Sequence, residues 1–160
     1  MSLEKAKRYI EKYGLEDKIM EFPVSSATVE EAAKAINCNE EEIAKTLAFL
    51  VNNKPILIVV SGDSKIDNSK YKAEFHEKAK MLPFDSVETT IGHSVGGVCP
   101  FGVNENVEIY LDNSLKRFET IYPACGSSNS AIKLTLEELE KISNYKKWID
   151  VCKHIDKKAV

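Results

Sequence analysis

The sequence lacks a long hydrophobic run, a paired cysteine pattern and an excess of basic charge. Its longest apolar stretch, residues 55–60, is far too short to cross a bilayer, and the charged N-terminus has no signal-peptide hydrophobic region. We therefore expect a cytoplasmic protein without a membrane partner. The 22 basic and 25 acidic residues give a net charge of −3, which excludes a protein-wide positive field for non-specific nucleic-acid binding. An RNA partner would have to bind a local patch.

Patterns for metal and cofactor binding are also missing. No two cysteines form a C-x-x-C pair, and no two histidines have zinc-finger spacing. Neither a phosphate-binding loop motif nor a dinucleotide-binding fingerprint is present. We therefore expect no metal site and no cofactor. The cysteines are Cys38, Cys99, Cys125 and Cys152, and the histidines are His76, His93 and His154.

What the chain does have is an ordinary globular composition. Of its 160 residues 43% are hydrophobic and 29% are charged, close to the averages for globular domains. A chain near this length buries about 68 to 70% of its unfolded surface, so it needs no disulfide to fold. Because no repeat or linker divides it, we expect a single domain over residues 1–160.

Helical periodicity and capping motifs predict several short helices. Apolar residues recur at helical spacing over residues 3–13, and Gly14 ends that helix. Two capping boxes, TVEE at 28–31 and NEEE at 39–42, predict consecutive helices, the second of which ends at Lys45. A further helix is predicted at residues 68–80, and two more capping boxes, Asp85 with Glu88 and Thr135 with Glu138, predict a short helix and a terminal helix.

Apolar runs rich in β-branched residues predict the strands. Residues 46–60 contain two such runs around the turn-prone sequence NNK, which is typical of a β-hairpin. Other strands are predicted at residues 107–112, 118–125 and 131–134. Strands and helices do not alternate regularly. We therefore predict a mixed α/β domain of the α+β class, with a curved, largely antiparallel sheet or barrel and flanking helices.

Residues 91–102, IGHSVGGVCPFG, hold four of the seven glycines. Gly96 and Gly97 can adopt positive φ and let another molecule approach the main chain, while Phe101 can anchor the loop in the core. Two interpretations fit this segment. It is a ligand-binding loop that presents backbone N–H groups, or a tight crossover between strands.

Four segments occur in the order seen in the YbaK/prolyl-tRNA-synthetase-associated editing family. They are AKTLAF at 44–49, GHSVGGVCPFG at 92–102, the stretch at 109–135 and LEEL at 136–139. The most specific element is the pair Lys45 and Thr46 at a helix-to-strand junction, followed about fifty residues later by a G-G-x-x-P-F-G loop. Over residues 20–145 the chain resembles this family. The resemblance implies a barrel-like mixed sheet with flanking helices, and hydrolysis of the ester bond in wrongly charged aminoacyl-tRNA.

The resemblance also implies a set of site residues. Lys45 matches the family's functional lysine, and the loop from Gly96 to Gly102 matches its substrate loop, so Lys45, Gly96 and Gly97 are the implied catalytic residues. The implied substrate-binding residues are Thr46, His93, Val98, Cys99, Pro100, Phe101, Gly102, Asp112, Gly126, Ser127 and Asn129.

Three positions differ from the bacterial cysteinyl-tRNA deacylase branch. Cys99 replaces a serine, His93 a tyrosine and Ala131 an aspartate, while SSNSA at 127–131 is similar to asparagine-containing turns of the alanyl-tRNA editing branch. The resemblance implies a deacylase of the Cys-tRNA(Pro) or Ala-tRNA(Pro) type that acts in trans. The resemblance does not identify the amino acid that is released from the tRNA.

An aminoacyl ester is already activated, so its hydrolysis needs a placed water, a stabilised oxyanion and exclusion of the correct amino acid. Loop N–H groups could stabilise the oxyanion, and Lys45 could hold the terminal phosphate or the carbonyl. The family implies that the free ribose hydroxyl of the substrate activates the water. The implied partner is the acceptor end of a mischarged tRNA, with an aminoacyl-tRNA synthetase or an elongation factor as alternatives for recruitment. We expect Lys45 and residues 92–102 to line one polar pocket.

Several alternatives remain open. Lys45 could complement a helix macrodipole, and Cys99 could be a nucleophile with His93 as its base or a small buried hydrophobe. The lysines of residues 65–80 could contact an acceptor stem or form a solvated helix face. A non-catalytic module that binds an aminoacyl-adenosine or a small amino-acid derivative also fits these motifs.

Overall fold

The computed structural model describes residues 2–153, so Met1 and residues 154–160, which include His154, lie outside the described residues. Within that part no helix is both long and apolar enough to span a membrane. The single domain over residues 1–160 stays a prediction. The helices are α1 Ser2–Glu11, α2 Val29–Ile36, α3 Asn68–Phe75, α4 Val87–Ile91 and α5 Leu136–Ile142, and the strands are β1 Ile19–Glu21, β2 Ile43–Val51, β3 Lys54–Ser61, β4 Glu108–Asp112, β5 Thr120–Pro123, β6 Ser130–Ile132, β7 Leu134–Thr135 and β8 Lys147–Ile149.

The core is a six-stranded sheet in the order β7-β5-β2-β3-β4-β8, and β1 and β6 form a separate antiparallel pair. β2 and β3 form the predicted hairpin. Its two-residue turn holds Asn52 and Asn53 in the left-handed region, at φ 52° and 63°, which asparagine tolerates and which matches the twist of the strands. β3 lies between β2 and β4 in the middle of the sheet and is buried along all but its first residue.

The predicted α+β class is confirmed, since the sheet curls into a half-barrel with flanking helices. The pairing contains more parallel contacts than expected. Within residues 2–153, three of the six ladders between strands are parallel, namely β2–β5, β3–β4 and β4–β8. The chain returns from β3 to β4 through a long crossover that contains α3 and α4, and such a crossover aligns the two strands. The sequence signals for a hairpin concern two strands joined by a short turn, so they do not predict parallel pairs formed through a long crossover.

The second predicted helix does not form. Its capping box exists, because Asn39 N–H donates to Glu42 at 2.9 Å, but the box caps only a 3-10 turn over Glu40–Glu42. β2 begins at Ile43, so Lys45 is the third residue of a strand. The segment pairs along its length with the buried β3, and this tertiary pairing outweighs the local helix signal. The helix-end interpretation of Lys45 is therefore wrong.

Two other helix predictions need correction, and two are confirmed. α3 ends at Phe75 instead of Lys80, because His76 adopts a left-handed conformation with φ 64°. The short helix predicted from Asp85 forms as α4, but its predicted capping box is absent, because a 3-10 turn leads into α4 without a side-chain cap. The boxes at Thr28 and Thr135 are present with both of their reciprocal hydrogen bonds.

Candidate functional site

A largely apolar cavity of about 420 Å³ opens along the outer edge of β2. Its volume lies in the range of about 300–1,000 Å³ that is usual for small-molecule sites. Five stretches of the chain supply its walls, within residues 26–32, 43–48, 81–87, 95–98 and 122–131. The cavity is therefore the place where the predicted lysine and part of the glycine loop meet.

The cavity exists because β2 is unpaired along the middle of this edge. At its start the strand pairs with β5. Further along, Ala48 C=O accepts from Leu82 N–H at 3.0 Å, and Leu50 N–H donates to Lys80 C=O at 2.8 Å. Backbone polar groups alternate between the two edges of a strand. Thr46 lies two residues before Ala48 and four before Leu50, so its N–H and C=O groups point to the same edge as theirs. They therefore face the open gap.

The Thr46 hydroxyl is a further unpaired polar group in this wall. Its Oγ1 is buried and forms no hydrogen bond with any described residue. An unsatisfied buried hydroxyl costs about 1–3 kcal/mol, and a ligand that pairs with it recovers that cost. Thr46 thus offers a main-chain donor, a main-chain acceptor and a hydroxyl at one position.

Lys45 brings positive charge to the cavity wall. Its side chain is half-buried and forms no hydrogen bond or ion pair with residues 2–153. Burial lowers the pKa of its ammonium below the ordinary value of 10.5, against smaller opposite effects of Cys152 and Asp63. A partly desolvated ammonium without a partner is suited to meet a phosphate or a developing oxyanion.

The glycine loop reaches the cavity through Val95, Gly96 and Val98. Gly96 has φ +93°, a conformation that side chains rarely adopt. The N–H groups of Gly96 and Val98 form no hydrogen bond within residues 2–153, so they are candidate oxyanion donors. Gly97 differs, because its N–H donates to Ser94 C=O at 3.0 Å.

Gly97 holds two loops together instead. Its C=O accepts from Gly126 N–H at 3.0 Å, and a Cβ at Gly97 would lie 2.4 Å from backbone atoms of Gly126 and Ser127. No side chain fits this contact without a backbone shift. Gly97 and Gly126, both predicted site residues, therefore position the wall of the cavity and do not line it.

The expectation that all of residues 92–102 line the cavity is wrong. Phe101 is fully buried and packs with Ala6 and Ile10 of α1 in the main core cluster. This large apolar side chain draws its neighbours into the core, since burying it stabilises the fold by about 1.5–3 kcal/mol. Gly102 takes φ +72° against the Lys5 carbonyl. His93, Cys99 and Pro100 of this loop are also buried and lie outside the cavity lining.

Cys99 and His93 lie close together, with Sγ 3.5 Å from Nε2, but they do not form a nucleophile and its base. His93 Nε2 is 2.6 Å from Phe101 C=O. A carbonyl only accepts, so Nε2 carries the proton and cannot take one from the thiol. Burial raises the pKa of Cys99 and lowers that of His93, which disfavours a thiolate.

Asp112, Ser127 and Asn129 also lie outside the cavity wall. The two carboxylate oxygens of Asp112 accept from the N–H groups of Val151 and Ser114, both at 2.8 Å. Asn129 donates through its side-chain amide to the residue that follows β1, and Ser127 bonds within its own turn. These side chains connect backbone segments, and their substrate-binding role stays a prediction.

Sequence reasoning missed most of the apolar wall. Its side chains come from segments without a recognisable motif, and only the fold brings them to one place. They include Ala27, Met81, Leu82, Phe84, Val87, Tyr122 and Ala131. Of these only Ala131 was singled out in the sequence, as a departure from the bacterial cysteinyl-tRNA deacylase branch. Among residues 2–153 no three His, Cys, Asp or Glu side chains converge as a metal site.

In this mixed sheet an open strand edge, a lysine and a glycine loop meet at one cavity, which is the arrangement of a ligand-binding domain. Residues 24–142 match the model of the aminoacyl-tRNA editing domain, and the chain belongs to this family. It is 50% identical over 154 residues to YwhH of Bacillus subtilis (strain 168), which covers 96% of this chain and 98% of YwhH.

Two further relatives carry names that state an activity. The chain is 27% identical over 143 residues to "Putative Cys-tRNA(Pro)/Cys-tRNA(Cys) deacylase EbsC" of Enterococcus faecalis, covering 87% of each chain. A solved structure described as "a putative trans-editing enzyme for prolyl tRNA synthetase" superposes with a TM-score of 0.85 at 26% identity, over 96% of this chain and 98% of the other.

Proposed function

We propose that this protein hydrolyses the ester bond of mischarged tRNA in trans, as a deacylase of the Cys-tRNA(Pro) or Ala-tRNA(Pro) type. The observation that carries the proposal is the convergence of Lys45, the unpaired groups of Thr46 and the free N–H groups of Gly96 and Val98 on one cavity. Family membership supports the reaction class. The cytoplasmic location and recruitment by a synthetase or an elongation factor are parts of the same hypothesis.

The reaction needs few protein groups because the ester is activated. Water attacks the carbonyl carbon, the carbonyl oxygen becomes an oxyanion, and the bond to the ribose oxygen breaks as that oxygen takes a proton. The N–H groups of Gly96 and Val98 stabilise the oxyanion, and the Lys45 ammonium holds the oxyanion or the terminal phosphate. The adjacent ribose hydroxyl of the substrate accepts the proton of the attacking water and passes it on. The products are the amino acid and the tRNA.

The walls of the cavity favour a small uncharged amino acid. The side chains of Ala48, Val87, Val98 and Ala131, which line the cavity, are all apolar. A charged side chain placed against them would lose its water without gaining a partner. The resemblance implies an aspartate at this position in the bacterial cysteinyl-tRNA deacylase branch. With Ala131 this chain has no carboxylate there to select its substrate.

The proposal is tested with tRNAs mischarged with alanine, cysteine, serine, threonine and proline. We expect faster release of alanine or cysteine than of serine and threonine, because the part of the wall formed by Ala48, Val87, Val98 and Ala131 has only apolar side chains and the polar groups of Thr46 are occupied by the ester in this proposal. We expect no release of proline from its own tRNA. Absence of turnover on all five, at enzyme concentrations equal to the substrate, would contradict the proposal.

A non-catalytic module that binds an aminoacyl-adenosine is the second candidate. It is favoured by the hydrogen bond from Gly97 N–H to Ser94, which leaves one loop donor fewer for an oxyanion. A non-hydrolysable amide analogue of alanyl-adenosine separates the two. Binding of the analogue together with stable alanyl-tRNA indicates a module, whereas hydrolysis indicates the enzyme.

The lowered pKa of Lys45 predicts the alkaline limit of the reaction. Deprotonation removes the charge on which we base catalysis, and the pKa lies below 10.5, so kcat falls at a lower pH than for an exposed lysine. The measurement is kcat against pH after subtraction of spontaneous ester hydrolysis. Lys45→Arg moves this limb upward because a guanidinium stays charged. If kcat of Lys45→Arg decreases at the same alkaline pH as kcat of the wild type, another group is responsible for the titration.

The buried thiols predict a reaction without an acyl-enzyme. We expect Cys99→Ala to keep deacylation within about tenfold of the wild type, because Cys99 is fully buried and lies outside the cavity. In the native protein an alkylating reagent reacts first with Cys38, which is partly exposed and whose pKa burial raises to about 11. A thioester trapped on Cys99 would refute this mechanism.

A further inference from the structure

The mouth of the cavity carries an unusual share of exposed apolar side chains. Residues 2–153 contain five exposed large hydrophobic residues, and three of them border this cavity. Phe84 is 77% exposed, Met81 59% and Val95 43%. Single exposed apolar residues are normal, but a group rimming one cavity marks a binding surface.

The backbone that carries these side chains is held in place. Leu82 and Lys80 are hydrogen-bonded to β2, so Met81 is fixed beside the open strand edge. Phe84 begins a 3-10 turn closed by Ser86 N–H donating to Pro83 C=O at 2.9 Å. The ring is therefore presented to solvent by a fixed backbone and pairs with no other aromatic ring of the described chain.

The charges near this rim suit a polyanion. Lys78 and Lys80 are exposed and form no ion pair within residues 2–153, and both precede Met81 in the same segment. Asp85, the exposed acid next to Phe84, repels phosphates from its own side of the rim. An apolar surface that follows two exposed lysines without an ion-pair partner among the described residues fits a strand whose bases stack while its phosphates contact ammonium groups.

We propose that Phe84, with Met81 and Val95 beside it, is a stacking platform for the 3′-terminal nucleobase of the tRNA. The inference rests on the proposed function, because an ester held at Lys45 and Thr46 leaves the attached adenosine at the mouth. In this role Phe84 binds the substrate and makes the protein prefer esters of a nucleotide over simple amino-acid esters.

The kinetic test compares two esters of one amino acid, alanyl-tRNA and alanine methyl ester. Phe84→Ala lowers the preference for alanyl-tRNA over the methyl ester by about 5- to 150-fold, the effect of losing one base–aromatic stack. Phe84→Trp keeps the preference, whereas Phe84→Leu, which retains bulk without a ring, loses most of it. The control Val24→Ala, 58% exposed and not part of the cavity lining, changes neither rate. An unchanged preference in Phe84→Ala overturns the platform.

A binding test separates this proposal from the hydrolase proposal. The probes are the trinucleotide CCA and the same trinucleotide with an abasic 3′ end, titrated into wild-type and Phe84→Ala protein by calorimetry. We expect the wild type to prefer CCA and the variant to bind both alike. If wild type keeps that preference but no ester is hydrolysed, the platform stands and the hydrolase fails. If Phe84→Ala changes only self-association, measured by sedimentation, the rim is an interface between copies and the platform is wrong.

Discussion

Lys45→Ala is expected to lower kcat for the best mischarged tRNA by about 10²- to 10³-fold, the usual effect of losing one group that stabilises a developing oxyanion. The side chain borders the cavity, is half-buried and has no partner in the described chain. Its charge is therefore available to the substrate. Because the ammonium gains no contact on folding and burial lowers its pKa, we expect the free energy of unfolding to change by less than about 1 kcal/mol.

Three further variants distinguish charge from packing. Lys45→Met keeps the apolar stem and removes the charge, so it is as inactive as Lys45→Ala. Lys45→Arg retains charge with a different donor geometry and is partly active. Lys65→Ala removes an exposed lysine whose charge acts on Lys45 but which does not line the cavity, and it keeps near-normal turnover. Normal deacylation by Lys45→Met would show that the lysine is not part of the reaction.

Gly97→Ala is expected to lower kcat/KM about 100-fold and the free energy of unfolding by about 1–3 kcal/mol. The new Cβ would lie 2.4 Å from the carbonyl carbon of Gly126 and the nitrogen of Ser127. These are backbone atoms, so one of the two loops must move. The movement displaces Gly96 and Val98, whose N–H groups we assign to the oxyanion, and a shift of about 1 Å at such a site has effects of this size.

Gly14→Ala is the control for a comparable loss of stability away from the cavity. Gly14 has φ +72°, and a Cβ added there would meet no atom within 4 Å, so the substitution adds strain without a clash. We expect it to cost about 1–2 kcal/mol of stability with unchanged kcat/KM. Full activity in Gly97→Ala, assayed below its midpoint of thermal unfolding, would show that the contact between the loops does not position the site.

Features that depend on neighbouring residues were predictable from the sequence. The capping boxes at Thr28 and Thr135 join groups three residues apart, and the turn at Asn52 and Asn53 needs only a left-handed preference. The same local rule failed at Asn39. There the box forms, but the strand that follows finds a long buried partner in β3 and ends the helix after one turn.

The residues predicted for the candidate site also fall into two groups, those that line the cavity and those that do not. Lys45, Thr46, Gly96 and Val98 were predicted from motifs, and all four line the cavity. Cys99, Phe101 and Asp112 belong to the same motifs but serve the core and the backbone. A motif records which residue types occur together, and it does not report which of them point inward.

By itself the sequence determined the α+β class, the editing-family resemblance, the β2–β3 hairpin and the residues whose chemistry suits an ester. Only the tertiary structure decided that the middle of β2 is left unpaired, between β5 on one side and residues 80–82 on the other. It also decided that Met81, Phe84 and Val95 share one rim. The reason is physical. Capping and turn preferences act over a few residues, whereas an open strand edge and a cavity wall depend on how distant segments pack against each other to bury apolar surface.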